Sequence, residues 1–185
     1  MSRAYRIEIA ESLRRKVRVD DTVTAAVELP AILPNERMAE LLGLALAARG
    51  FTVADGVATR SDELTWRIEL GTGAVHLGLS DEGLLELHAE RGAEVGDQTR
   101  AARAAELRAR VRQDLDEQAD AATAGLRREV TRRLEDALAG ARQELDGAVT
   151  AAIGAALKER AAQLGQITEV FEDPQTGSLL IKVRV

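Results

Sequence analysis

The chain contains no cysteine, three prolines, one tryptophan, one tyrosine and two phenylalanines among 185 residues. Without cysteine there are no disulfides, no thiolate metal ligands and no cysteine nucleophile. Positive charge is not in excess: the net charge is −6 and the sequence pI about 5.1. That argues against a general binder of nucleic acid or anionic membranes, both of which need net or patchy positive charge. No apolar run approaches the roughly 20 residues of a membrane span. The opening MSRAYRIEIAESLRRK alternates and carries charge where a signal peptide would have an apolar run, so a cytoplasmic location is expected. Missing too are HExxH, GxSxG, a phosphate loop and a dinucleotide fingerprint. Gly71, Gly73 and Gly78 make no phosphate cradle, because no helix opens after them. His76 and His88 lack an acidic helper at fixed spacing and read as surface or packing residues. The carboxylates of Asp20-Asp21, Asp81-Glu82 and Asp114/Asp116/Glu117 read as turn or solvated-helix chemistry. No catalytic, cofactor-binding or metal-binding residue emerges, and the expectation is a protein that is not an enzyme.

What the chain has in abundance is helix former. From about Glu94 to about Gly165 it is rich in Ala, Arg, Glu, Leu and Gln, with no proline and no aromatic. These residues lose least on entering a helix. Apolar side chains recur at Leu107, Val111, Leu115, Ala119, Ala122, Leu126, Val130, Leu134, Leu138 (or Ala137), Ala141, Leu145, Val149, Ile153, Leu157 and Leu164. Steps of four dominate, so the beat is longer than the 3.6 residues of a straight helix and far from the 3.5 of a left-handed coiled coil. Many positions are Ala, and Gly140, Gly147 and Gly154 fall seven apart. Such a thin stripe suits one partner helix. The other faces mix charge, as in Glu129 and Arg133 at i,i+4, and read as solvated. The stripe residues Leu107, Val111, Leu115, Leu126, Val130, Leu134, Leu138, Leu145, Val149, Ile153 and Leu157 are the candidate oligomer interface. An amphipathic membrane helix would want bulkier apolar residues and a one-signed basic face.

The remainder reads as sheet with one helix. Tyr5, Ile7 and Ile9 alternate with charges; Val17 and Val19 continue inward in a second strand; Asp20-Asp21 suggests a turn, followed by the β-rich Thr22–Leu29. A helix begins near Asn35, with Met38, Leu41, Leu42, Ala45 and Leu46 as its core stripe and Gly50 as its C-terminal stop. Phe51–Val53 is a short strand and Asp55-Gly56 a turn. Leu64, Trp66, Ile68 and Leu70, then Val75, Leu77 and Leu79, then Leu85, Leu87 and Ala89 alternate as a three-strand meander with turns at Gly71-Thr72-Gly73 and Asp81-Glu82-Gly83. Trp66 shares the inward parity of Leu64 and Ile68. After the long helix, Ile167–Phe171 and Leu179–Val185 form a hairpin about Asp173–Gly177.

A lone hairpin is marginal in water, so its apolar face must find a sheet. Two routes are open. The long helix folds back near Ala119–Gly125, returning the hairpin to its own sheet. Alternatively it stays straight and pairs antiparallel with a second copy, whose sheet the hairpin completes. Gly125 favours the first and the otherwise strong helix formers of ADAATAG favour the second, which is the preferred reading. The expected organisation is an α+β sheet domain over 1–93, a long helical segment over 94–165 and a completing hairpin over 166–185.

Arg14, Arg15, Lys16 and Arg18 form the one dense basic run. It suits a charged strand that resists edge-to-edge pairing; the alternative is a nucleic-acid-binding regulator touching phosphate through these four residues.

The stretches SRAYRIEIAESLRRKVRVDD and PNERMAELLGLALAARGF, with the closing GSLLIKVRV, resemble a family of small bacterial proteins: accessory domains of FtsH-type ternary systems. Members are encoded beside an AAA+ ATPase and are thought to act in regulatory or conflict systems. The resemblance implies a non-enzymatic partner of an ATPase or protease; with the helical stripe, the expectation is a structural or adaptor-like homo-oligomer. Its motifs are structural, so it transfers no catalytic or binding residue.

Overall fold

A computed structural model describes residues 4–96, 100–172 and 178–184. The elements run β1 (Ala4–Ala26), α1 (Asn35–Ala47), β2 (Thr52–Ala54), β3 (Val57–Ser61), β4 (Thr65–Glu69), β5 (Ala74–Gly96), α2 (Arg100–Leu164), β6 (Gln166–Glu172) and β7 (Leu179–Arg184). The class is α+β, as the patterning requires: an antiparallel sheet, one short helix, one long helix and a closing hairpin. Strands β1 to β5 form one sheet in the order β1-β5-β4-β3-β2, and β6 and β7 form a second, two-stranded sheet.

Two strands are far longer than expected. The turns read at Asp20-Asp21 and Asp81-Glu82-Gly83 do not exist; β1 and β5 each continue for 23 residues. Phase explains this. Along β1, Ile7, Ile9, Leu13, Val17, Val19 and Val23 share one parity, and Asp21 sits in step with them. Its carboxylate accepts a 2.5 Å hydrogen bond from Thr131 Oγ1 of α2, so an inward charge is met without a turn. Along β5 the inward parity of Val75, Leu77 and Leu79 passes unbroken through Gly83 to Leu85, Leu87 and Ala89. At Gly83 the space that a side chain would fill is occupied by Leu126, whose Cδ2 would stand 3.7 Å from an added Cβ. The third strand of the expected meander is therefore the far half of β5. The strand over Val57–Ser61, not anticipated, supplies the missing member. The long helix begins at Arg100, because residues 94–96 still belong to β5. The turn read at Asp173–Gly177 lies outside the described residues.

The chain divides into two compact units. The first takes in residues up to Asp21 and Ser80–Arg132. Here β1 and β5 make a two-stranded ribbon. Partners rise along one strand as they fall along the other, in Arg14–Glu86 and Arg18–Glu82, so the pairing is antiparallel. One face carries Ile9, Leu13, Leu87 and Ala89 against Val111 and Leu115 of α2. Charged pairs frame this small core: Arg91 holds Asp114 through bonds of 2.5 and 2.8 Å, and Arg112 donates to Glu11 at 3.1 Å.

The second unit takes in Thr22–Leu79 and Arg133 onward. Its strands β2 to β5 form the meander. Asp55 and Gly56, both at positive φ (51° and 74°), make the two-residue turn that twisted hairpins prefer. Ala58 faces Ile68, Ile68 faces Val75 and Trp66 faces Leu77, placing all five on one buried face. Met38, Leu41, Leu42 and Leu46 of α1 are buried as well. The opposite face, with Thr59, Thr65, Arg67 and His76, is exposed, as an antiparallel sheet allows. Gly73 (φ +72°) closes the β4–β5 turn, and its carbonyl accepts from Val27 N–H at 2.8 Å. A Cβ there would lie 2.1 Å from Val27 O, so only glycine fits. In this unit α2 buries Leu134, Ala141, Leu145, Ala148, Ala152 and Ala156.

Candidate interaction surfaces

The helical stripe is covered by its own chain for most of its length. Leu107, Val111, Leu115, Val130, Leu134 and Leu145 are each less than a tenth exposed. Leu126 and Leu138 are half-buried. After Leu145 the buried row moves one position toward the N-terminus, onto Ala148, Ala152 and Ala156. That shift turns the bulkier side chains outward: Val149 and Ile153 are half-buried, Leu157 is 38% exposed and Leu164 59%. Of the residues expected at an interface, Leu157 is exposed, and Leu126, Leu138, Val149 and Ile153 are half-buried. The helix itself runs unbroken through Gly125.

Two of the four cations in the basic run, Arg14 and Arg18, are met by carboxylates across the ribbon. Arg14 bonds Glu86, and Arg18 lies 3.5 Å from Glu82. Both pairs are well exposed and contribute little stability. They place a carboxylate beside each of two cations that would otherwise meet phosphate. His76 and His88 are exposed, and among the described residues no cluster of His, Cys, Asp or Glu is arranged to hold a metal ion.

A cation at the inward parity of β3 ties the second unit together. Arg60 lies 4.4 Å from the ring centre of Phe51 and 4.9 Å from that of Trp66, which meet each other edge to face. Its guanidinium donates to both oxygens of Glu144 on α2 (2.5 and 2.9 Å) and to Arg49 O (3.2 Å). The hydrogen bond to Glu144 holds its pKa above the usual arginine value. Asp62, 2.7 Å from Arg60 Nε, is held below the ordinary carboxylate range, first by the Leu64 N–H and then by the Arg60 charge. A second link joins α1 to α2: Arg37 donates to Glu159 at 2.9 Å and to Glu40 at 2.6 Å.

Beside α1 lies an apolar groove of about 690 Å³, lined by Ala39, Gly43, Leu44, Ala47, Val53 and Leu70. Leu44 is 64% exposed. It stands off the Met38–Leu41–Leu42–Ala45–Leu46 stripe, which is the sequence signal that could have marked it. The hairpin is the other incomplete surface. Ile167, Val170, Leu179, Ile181 and Val183 occupy one face, and none belongs to the buried core. Phe171 and Leu180 pair on the other face and are 59% and 56% exposed. Of the two routes open to the hairpin, its own sheet or a second copy's, the first is not taken among the described residues, where β6 and β7 pair only with each other.

Fold and surfaces together define an α+β protein with exposed apolar side chains at the end of α2, beside α1 and on the hairpin. The chain belongs to the family described as FtsH ternary system domain X5, whose model matches residues 1–185. No curated protein matches it, and no solved structure does. Among the described residues no helix is long and apolar enough to cross a membrane.

Proposed function

We propose that the protein is a non-enzymatic accessory component of an FtsH-type system, one that self-assembles and offers the assembled surface to an AAA+ ATPase. The observation that carries this reading is the outward apolar row Val149, Ile153, Leu157 and Leu164 on α2, a surface that costs solvation unless covered. Family membership over the full chain supports the ATPase as partner. Within the helical stripe we assign the self-contact to this row, because Leu107, Val111, Leu115, Val130, Leu134 and Leu145 before it are already buried in the chain's own core.

The test is light scattering of the full chain on a sizing column over a range of concentrations. The expected result is a mass above one chain that falls to one chain in the Ile153→Asp, Leu157→Asp double variant, with loss of binding to the purified ATPase of its system. A concentration-independent monomer that still binds the ATPase would remove self-assembly from the proposal. Nucleotide hydrolysis by the purified chain alone would overturn the non-enzymatic reading.

A further inference from the structure

The exposed faces of α1 and of the hairpin match each other in order, charge and spacing. On α1, Leu44, Glu40 and Glu36 lie four residues apart on one exposed line, and a helix rises about 6 Å over four residues. On β7, Leu180, Lys182 and Arg184 alternate outward, and a strand advances about 6.6 Å over two residues. Each line reads apolar, charged, charged, with opposite signs; within the chain Arg37 already meets Glu40 and Glu169 meets Lys182, so among the described residues the charges left for a partner are Glu36 and Arg184. Phe171, paired with Leu180, stands at the apolar end of the hairpin line. The groove beside Leu44 stands at the apolar end of the helix line. Neither end is covered within the chain: Leu44 is 64% exposed and Phe171 59%.

We propose that the hairpin of a second copy docks on α1, with Phe171 entering the groove and Arg184 facing Glu36. This rests on the self-assembly reading above and adds a contact that the α2 row does not supply. Each copy carries both halves of the contact. Two copies that exchange them reciprocally form a closed two-fold dimer, and a head-to-tail exchange would extend further. Charge favours this partner face, because α1 offers the carboxylate of Glu36 to Arg184, whereas a second hairpin would bring its own Arg184.

The absence of cysteine makes the test clean. A chain carrying only Leu44→Cys is mixed with one carrying only Phe171→Cys and mildly oxidised. The expected product is a disulfide-linked pair containing one of each. A second measurement uses a charge swap in the full chain. Glu36→Arg alone and Arg184→Glu alone each weaken self-association by about tenfold or more, and mixing the two variants restores it, because every contact then joins opposite charges. If the wild-type chain is a monomer at every concentration, both this contact and self-assembly fall. If it associates, yet no mixed disulfide forms and the swap has no effect, this contact alone falls and the α2 row keeps its own test. Disulfides joining two Phe171→Cys chains in place of mixed ones would likewise overturn it.

Discussion

Arg60 shows how one residue can join three elements. It is a charge at an inward position, tolerated because Glu144 and Asp62 satisfy it and two aromatic rings flank its plane. Removing it strands Glu144 and uncovers the Phe51 and Trp66 rings that it lies against. Arg60→Ala is expected to lose about 2 to 3 kcal/mol in chemical denaturation, and Arg60→Lys to recover only part of that, since an ammonium cannot serve both oxygens of Glu144 in the same plane. Asp62 supplies a pH signature. Its folded pKa lies below its unfolded value, so its contribution is complete above about pH 4 and is lost as pH falls through the depressed folded value. The melting temperatures of wild type and Asp62→Asn should therefore differ at neutral pH and converge in acid. A gap that persists at pH 2 would mean that Asp62 acts through shape.

Among the elements, α2 was the most legible. Its composition predicts a helix, and the helix runs unbroken over 65 residues. The stripe was read as apolar and as a surface for a partner helix; up to Leu145 most of it is buried within the chain. Which surface covers it was not legible, because a periodic stripe has the same signature whether its partner is a second chain or the chain's own sheet. Nor was the shift to Ala148, Ala152 and Ala156, since Ala scores weakly beside Val149 and Ile153. The long strands were misread for a different reason: Asp-Asp and Asp-Glu-Gly are turn signals locally, and only the parity on both sides of them tells continuity from a turn. Arg60 was invisible because its strand was not recognised. The helix also retains removable weak points. Gly125, Gly140 and Gly154 have nothing within 4 Å of an added Cβ, whereas at Gly147 the Arg49 guanidinium lies 3.3 Å away. Each of the three Gly→Ala variants should gain about 0.5 to 1 kcal/mol by thermal denaturation, with Gly147→Ala gaining less.

For the molecule as a whole, burial separates folding from assembly. Val130 and Leu134 are 0% and 1% exposed, so placing aspartate at either tests the fold. Val130→Asp is expected to cost on the order of 3 kcal/mol or more and to lower the thermal midpoint at every protein concentration. Ile153→Asp with Leu157→Asp should act mainly through the concentration dependence of the molecular mass. A Val130→Asp chain that melts like wild type but no longer associates would show that this stretch of α2 leaves its own core when it assembles.

The long first strand also sets an order of events during synthesis. Arg14 of β1 meets Glu86, 72 residues further on, while Glu11 and Asp21 meet their helical partners only after 101 and 110 residues. Closing such wide loops before any contact rewards them is slow. On the ribosome, β1 must emerge and wait, unpaired, until β5 and then the first half of α2 have followed it. Its alternating charges keep a solitary strand soluble through that interval. Stopped-flow refolding should accordingly show α2 gaining helicity in an early phase, with fluorescence of Trp66 and cooperative protection of the sheet arriving later, on the millisecond-to-second scale of non-local β pairing.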